Sequence, residues 1–372
     1  MASKSRLCGS GPLFSVCIPN YNYGCYLRST IESVVAQSFQ DFEIIVADNA
    51  STDDSVEVVE KFSDARIKLI KNETNVGFAH NLDRATERAI GQYLILLSSD
   101  DLIMPDALER YAGIIREYRA GPSSVSEGDE MLVLFSAIEI IDSDGKVFDR
   151  RFAQPWLESN NSSAQLLNQF VFTTSGYEVL RRRMVALQHV GHFASTCVSR
   201  RIFEAVCGYR SFHTIDPDTF YNYKCLLLNP TVKYIEEPLF RYRVHNQNQT
   251  AQERKQVAPK LFFDKYYYTI EFADDDLHRA GISRQQLIDS FLDHWCGHAA
   301  IMNALKGNGW RARQAFLTAA ATYPGQYFQR WRSYLLLLIL LTGPITPMLA
   351  SVWRRVGLPY ETRPIKKNVS AS

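Results

Sequence analysis

Four short polar segments hold the residues best suited to chemistry: Asn20-Tyr21-Asn22, Asp48-Asn49, Asn75 and the adjacent carboxylates Asp100-Asp101. Neighbouring carboxylates can hold Mg²⁺ or Mn²⁺, which in turn bridges phosphate oxygens. No G-x-G-x-x-G turn follows the first apolar run, and no G-x-x-x-x-G-K-[ST] loop occurs, so a nicotinamide or flavin site is disfavoured. Without a glycine-rich cradle, a diphosphate needs another source of positive charge. A cation at Asp100-Asp101 fits that need. The same acids also suit the starts of helices, as Asp48 does.

These segments must be positioned by the elements around them. Phe14–Pro19, Glu43–Ala47, Ile67–Ile70 and Tyr93–Leu97 read as short apolar strands. Between them lie helical spacings over Leu27–Ser38, through Val58 and Val59, and over Gly77–Ile90. Asp106–Tyr118 follows, with Pro105 expected at the first helical position. Strands alternating with helices imply parallel β-α-β units and an α/β fold. In an open parallel sheet all four polar segments then share the carboxyl edge, where ligands bind.

Composition narrows the classes. The 372 residues are 46% hydrophobic, with 41 basic against 40 acidic side chains and a formal charge of +1. A disordered chain and a globally basic nucleic-acid binder are excluded. Seven cysteines without a CxxC pair imply reduced thiols rather than a zinc site or a disulfide framework. The polar N-terminus lacks the apolar core of a signal peptide, so a cytoplasmic protein is expected. Asn72-Glu73-Thr74 and Asn248-Gln249-Thr250 then carry no weight as glycosylation acceptors.

Taken together, SVCIPNYN (Ser15–Asn22), VADNASTDDS (Val46–Ser55), NVGFAHN (Asn75–Asn81) and LLSSDDLIMPDAL (Leu96–Leu108) resemble the family 2 glycosyltransferases. GYRSFHTIDPD (Gly208–Asp218) and EEPLFRYRVHNQNQT (Glu236–Thr250) extend the likeness to about residues 12–250. It implies a GT-A fold, a Rossmann-like mostly parallel sheet flanked by helices, here with a C-terminal helical extension. It also implies an inverting, metal-dependent transfer from a UDP- or dTDP-sugar to a glycan or lipid-linked glycan. Pro19, Asn20, Tyr21, Asn22 and Asp48 would hold the nucleoside, with Asp48 accepting the imide N–H of the base and Tyr21 packing on its ring. The Asn75–Asn81 segment, with Asn75 and His80, would lie beside the nucleotide, His80 standing where relatives often carry arginine.

The resemblance makes Asp100 the metal-binding member of a D-x-D motif, with Asp101 beside it and His245 near the metal or diphosphate. Arg243 would add positive charge. The general base falls on Asp216, with Asp218 as the alternative. Two positions depart from the pattern: Ser98 replaces the first aspartate of D-x-D, where its hydroxyl can still bond a ribose, and Ile215 replaces the usual glutamate. They motivate the alternative of a catalytically silent nucleotide-sugar-binding module.

The expected domains are residues 1–250 for catalysis, a helical region over 251–330, a hydrophobic helix over 331–355 and a polar tail over 356–372. From Gln154 to Gly191 no strand alternation is visible, and the resemblance implies that acceptor specificity resides in such a segment after the metal loop. Helices are expected over Leu261–Phe272, Arg284–Leu305 and Ala312–Ala321, and Asp274-Asp275-Asp276 reads as a solvated helix end. Ser333–Val352 has about the length of a bilayer span, but Gly343, Pro344 and Pro347 interrupt it and both flanks are basic. An interfacial or re-entrant segment, peripheral on the inner membrane face, fits better than a simple span.

Overall fold

The computed structural model describes residues 11–121, 128–151, 165–168, 171–209, 217–246, 248 and 260–342. The chain divides into two compact units between Ile288 and Asp289. In the first, β1 (Phe14–Asn20), β2 (Phe42–Asp48), β3 (Ile67–Lys71) and β4 (Tyr93–Leu96) run parallel in the order β3-β2-β1-β4. Both β1 and β2 are buried along their whole length, which is why they read as unbroken apolar runs. Phe14, Val16 and Ile18 of β1 and Ile44 and Val46 of β2 share a core with Leu27, Ile31 and Val34 of α1 (Gly24–Val35). Register places Asn20 beside Asp48, and Asp48 beside Lys71, so three strands finish level at one edge.

Helices α2 (Ser55–Glu60), α3 (Phe78–Arg88) and α4 (Ala107–Arg119) complete the expected alternation. One detail differs. Pro105 lies in the turn before α4 rather than at its first position, because β5 (Leu102–Ile103) pairs with β11 (Thr231–Arg243) and keeps the chain extended through Met104. The Met104 N–H still donates to the Leu239 carbonyl, at 2.9 Å.

The other half of the sheet is built on β6 (Leu132–Ile141) and β11, which run parallel. β10 (Cys197–Ser199) lies antiparallel between β4 and β6, and β7 (Val147–Arg151) pairs with β6. Beyond β11 come β9 (Val171–Ser175) and then β8 (Gln165–Asn168). These two strands correct the expectation of a strandless segment from Gln154 to Gly191. Val171–Ser175 is β-rich but too short to show alternation, and pairing with β11 secures it. The helices α5 (Gly176–Arg183), α6 (Arg200–Ala205) and α7 (Pro217–Leu227) fill the remaining connections.

The first unit continues past residue 250 with helices Lys260–Ile270 and Asp274–Arg279. Asp274 to Asp276 form the first turn of the second of these, where negative charge complements the helix dipole. The second unit is helical: a π-helical segment Phe291–Ala299, then Ala300–Leu305, Gly309–Thr322, Pro324–Tyr327 and Trp331–Thr342. Small residues Ala312, Ala315 and Ala319 are buried there with Phe291, Tyr327 and Leu336. Of the stretch Ser333–Val352, residues from 343 onward lie outside the described ones, as do Arg354 and Arg355. Among the described residues no helix is long and apolar enough to cross a membrane.

Candidate active site

At the end of β2, Asp48 is buried and both its oxygens are hydrogen-bonded, with acceptor capacity left on Oδ2. Its Oδ1 accepts from Asn20 Nδ2 (2.9 Å) and Ser51 Oγ (2.6 Å), and its Oδ2 accepts from the Ser51 N–H (2.9 Å). The β2–α2 turn is thereby folded back against the end of β1. Asn22 sits at φ +58°, a left-handed conformation that asparagine tolerates. Its N–H donates to Ser51 Oγ (3.0 Å) and its side-chain oxygen accepts from the Thr52 N–H (2.7 Å). Pro19 and Asn20 are buried, whereas Tyr21 is exposed. The loop thus presents an exposed ring next to a stretch that holds the Asp48 carboxylate in one orientation.

Five asparagines tie this edge together. Asn49 Nδ2 donates to Asn75 Oδ1 (2.8 Å), while Asn49 Oδ1 accepts from Asn72 Nδ2 (3.1 Å) and the Val76 N–H (2.9 Å). Asn72 Nδ2 also donates to Asn81 Oδ1 (2.9 Å), and Asn81 Nδ2 to the carbonyls of Ala47 (2.8 Å) and Asn20 (3.4 Å). The loops after β1, β2 and β3 and the start of α3 become one frame. Asn75 therefore acts within this frame, and His80 lies exposed one turn into α3. Asn81 ends the Asn75–Asn81 motif, whereas Asn72 stood out in the sequence only as part of a glycosylation tripeptide; the density of asparagine from Asn72 to Asn81 marks both.

The second cluster gathers around Asp100. Its Oδ2 meets His245 Nε2 at 3.0 Å and accepts from Asn248 Nδ2 at 2.8 Å, although 145 residues or more separate the partners in sequence. The Asn248 side-chain oxygen takes the His245 backbone N–H, and its Nδ2 also reaches the Arg243 carbonyl at 3.1 Å. Tyr26 and Tyr23 pack on the imidazole, with ring centroids 4.6 and 5.7 Å away. Burial and the Asp100 charge push the Tyr23 hydroxyl well above the usual phenol range, so it stays protonated. Asn248, three positions beyond His245, joins this cluster although no motif in the sequence singled it out.

Asp101 is placed differently. Fully buried, its Oδ1 accepts the Arg243 N–H at 2.9 Å, which fastens the turn to the end of β11. Burial first, then the neighbouring Asp100 charge, raise its pKa well above the usual carboxylate range, against the lowering effect of the Arg243 N–H. The Arg243 guanidinium is taken up by backbone carbonyls, Asp100 at 2.8 Å and Ser143 at 3.0 Å, with its Cζ 4.9 Å from the Tyr26 ring centroid. Ser98 is half-buried at the start of the same turn. Asp216 and His213 lie outside the described residues; Asp218 falls in the first turn of α7, and His192 packs its ring on Tyr242 at 4.5 Å.

A divalent cation fits the pair Asp100 and His245. They offer one carboxylate oxygen and one imidazole nitrogen side by side, and among the described residues no third His, Cys, Asp or Glu joins them.

Comparison with known proteins agrees with this geometry. Residues 15–175 match the family described as glycosyl transferase family 2. An uncharacterized glycosyltransferase of Haemophilus influenzae is 42% identical over 101 residues, covering 27% of this chain and 40% of that protein. A putative teichuronic acid biosynthesis glycosyltransferase of Bacillus subtilis, TuaG, is 37% identical over 108 residues, 28% of this chain and 43% of its own. The chain thus spans less than half the length of these curated relatives. Residues 1–349 of S. aureus TarS, solved with UDP, share the fold at a TM-score of 0.54 and 16% identity, over 95% of this chain and 94% of that one. Residues 15–175 are thus similar to the family 2 glycosyltransferases, and the fold is of the GT-A type that TarS shares.

Proposed function

We propose that the protein is an inverting glycosyltransferase, moving a sugar from a uridine- or thymidine-diphosphate donor to a hydroxyl of a glycan or lipid-linked glycan in surface polysaccharide synthesis. The observation that carries this reading is the pairing of Asp100 with His245 on the same sheet edge as the hydrogen-bonded Asp48 carboxylate. A teichuronic acid role in the name of one relative and bound UDP in TarS support the donor and pathway class.

Asp48 receives the base N–H, Tyr21 covers the ring, and the asparagine frame fixes the loop before the donor arrives. Asp100 and His245 would hold a divalent cation, Mn²⁺ or Mg²⁺, which would offset the charge of the leaving diphosphate. An acceptor hydroxyl attacks the anomeric carbon opposite the departing diphosphate. The new C–O bond forms as the glycosyl–phosphate bond breaks, which inverts the centre. Asp216 takes the hydroxyl proton, or Asp218 if the neighbouring acid serves. A lipid-linked acceptor would be met at the inner face of a membrane.

The test is a mass-spectrometric screen of nucleotide sugars against glycan and lipid-linked acceptors with Mn²⁺ present. A product heavier by one sugar, with inverted linkage, is expected. Donor binding without transfer or hydrolysis on any acceptor would instead support the silent module motivated by Ser98 and Ile215.

A further inference from the structure

We infer that the second unit docks on an anionic lipid surface through one face of helix Trp331–Thr342. Trp331, Tyr334, Leu338 and Leu341 recur at helical spacing and are 57%, 57%, 53% and 76% exposed. Ser333, Leu336 and Ile339 on the other side are buried. The helix is therefore seated by one face and presents a second apolar one. Phe328 continues that stripe, its ring 6.3 Å from Tyr334. Single exposed apolar residues are ordinary, but an ordered stripe of them with aromatics at one end marks a contact surface.

Length decides how such a helix meets a bilayer. The twelve described residues of this helix extend about 18 Å at 1.5 Å per residue, against a hydrocarbon core of ~30 Å, and Gly343 and Pro344, which interrupt helices, follow directly in the sequence. A helix lying in the interface instead buries its apolar face while Trp331 and Tyr334 sit at headgroup depth.

Charge chooses the occupant. Of the 41 basic and 40 acidic residues in the chain, ten basic and only three acidic ones lie from Asp289 onward. The nearly neutral chain thus carries its basic excess C-terminal to Ile288 in the sequence; the described part of this unit has Lys306, Arg311, Arg313, Arg330 and Arg332 against Asp289 and Asp293. A second copy on this face would bring two basic units together, whereas an anionic lipid surface is complementary. The inference deepens the reading above, since a lipid-linked acceptor presents its sugar at such a surface. Docking itself needs no sugar.

Flotation of the full-length protein tests it, with vesicles of phosphatidylcholine alone or mixed with phosphatidylglycerol. The protein should rise with the mixed vesicles, less with the zwitterionic ones, and less again at high salt. Leu338→Ser with Leu341→Ser should lower the bound fraction on the order of tenfold, because both side chains leave the lipid. Both positions are exposed, so an unchanged melting curve and unchanged UDP affinity are expected of the variant. The inference is overturned if the protein floats with neither vesicle, or if the variant floats like the parent. It is equally overturned if sedimentation finds a lipid-free dimer that the variant abolishes. No donor or acceptor is present, so failure here leaves the transferase reading standing, and loss of UDP binding would sink only the latter.

Discussion

Asp100 Oδ2 is shared between an imidazole and a carboxamide, and that sharing fixes the carboxylate before any ligand arrives. Asn248 is the positioning residue, since it also bonds the His245 N–H and the Arg243 carbonyl. Replacing it by Ala should weaken Mn²⁺ binding by roughly 10–100-fold, the usual effect of losing a partner behind a metal ligand. Electron paramagnetic resonance of free Mn²⁺ would read this without turnover; an unchanged affinity would make Asn248 merely structural. Asp216→Asn should behave in the opposite way. UDP affinity stays near normal while kcat falls by roughly 10²–10⁴, the range for loss of a general base. If only Asp218→Asn produces that fall, the base is the neighbouring acid.

At the scale of elements, the sheet edges are held by buried polar contacts. Glu43 on β2 accepts from Ser15 Oγ and the N–H groups of Ile90 and Gly91, while Lys68 Nζ lies 2.7 Å from its other oxygen. Burial alone would raise its pKa, but the Lys68, Ser15 and Ile90 contacts outweigh it and hold the carboxyl below the ordinary 4.5. A depressed folded-state pKa contributes stability that is complete above the unfolded value and lost as pH falls through the folded one. Denaturant melts between pH 7 and 3 should show that loss in the parent and lack it in Glu43→Gln, which should be less stable by about 1–3 kcal/mol at neutral pH. An equal acid dependence in both proteins would remove Glu43 from this role. Strands β1 to β4 were legible because buried parallel strands read as apolar runs that end in polar turns. β8 and β9 were not: five residues without alternation become a strand only when β11 supplies the partner.

Across the whole molecule, the site joins residues that local pattern cannot connect. Asp48 and Asp100 could be placed on one edge from strand alternation alone. His245 reached them only through the family resemblance, because its position depends on β11 pairing with β6 and β5. Asn248 has no local signature at all, since its role arises from contacts with Asp100 and the turn after Arg243. The two-unit division and its uneven charge were visible only once Ile288 and Asp289 were seen to separate compact bodies. The central claim is that Asp100 and His245 complete a metal-supported nucleotide-sugar site. Isothermal titration of UDP, with and without Mn²⁺, tests it most directly on the parent and on Asp100→Asn. The account predicts tighter UDP binding with Mn²⁺ in the parent, and loss of that enhancement in the variant, with donor hydrolysis weakened by about 2–4 kcal/mol in transition-state stabilisation. UDP binding indifferent to Mn²⁺ in the parent, or equally enhanced in Asp100→Asn, would contradict it.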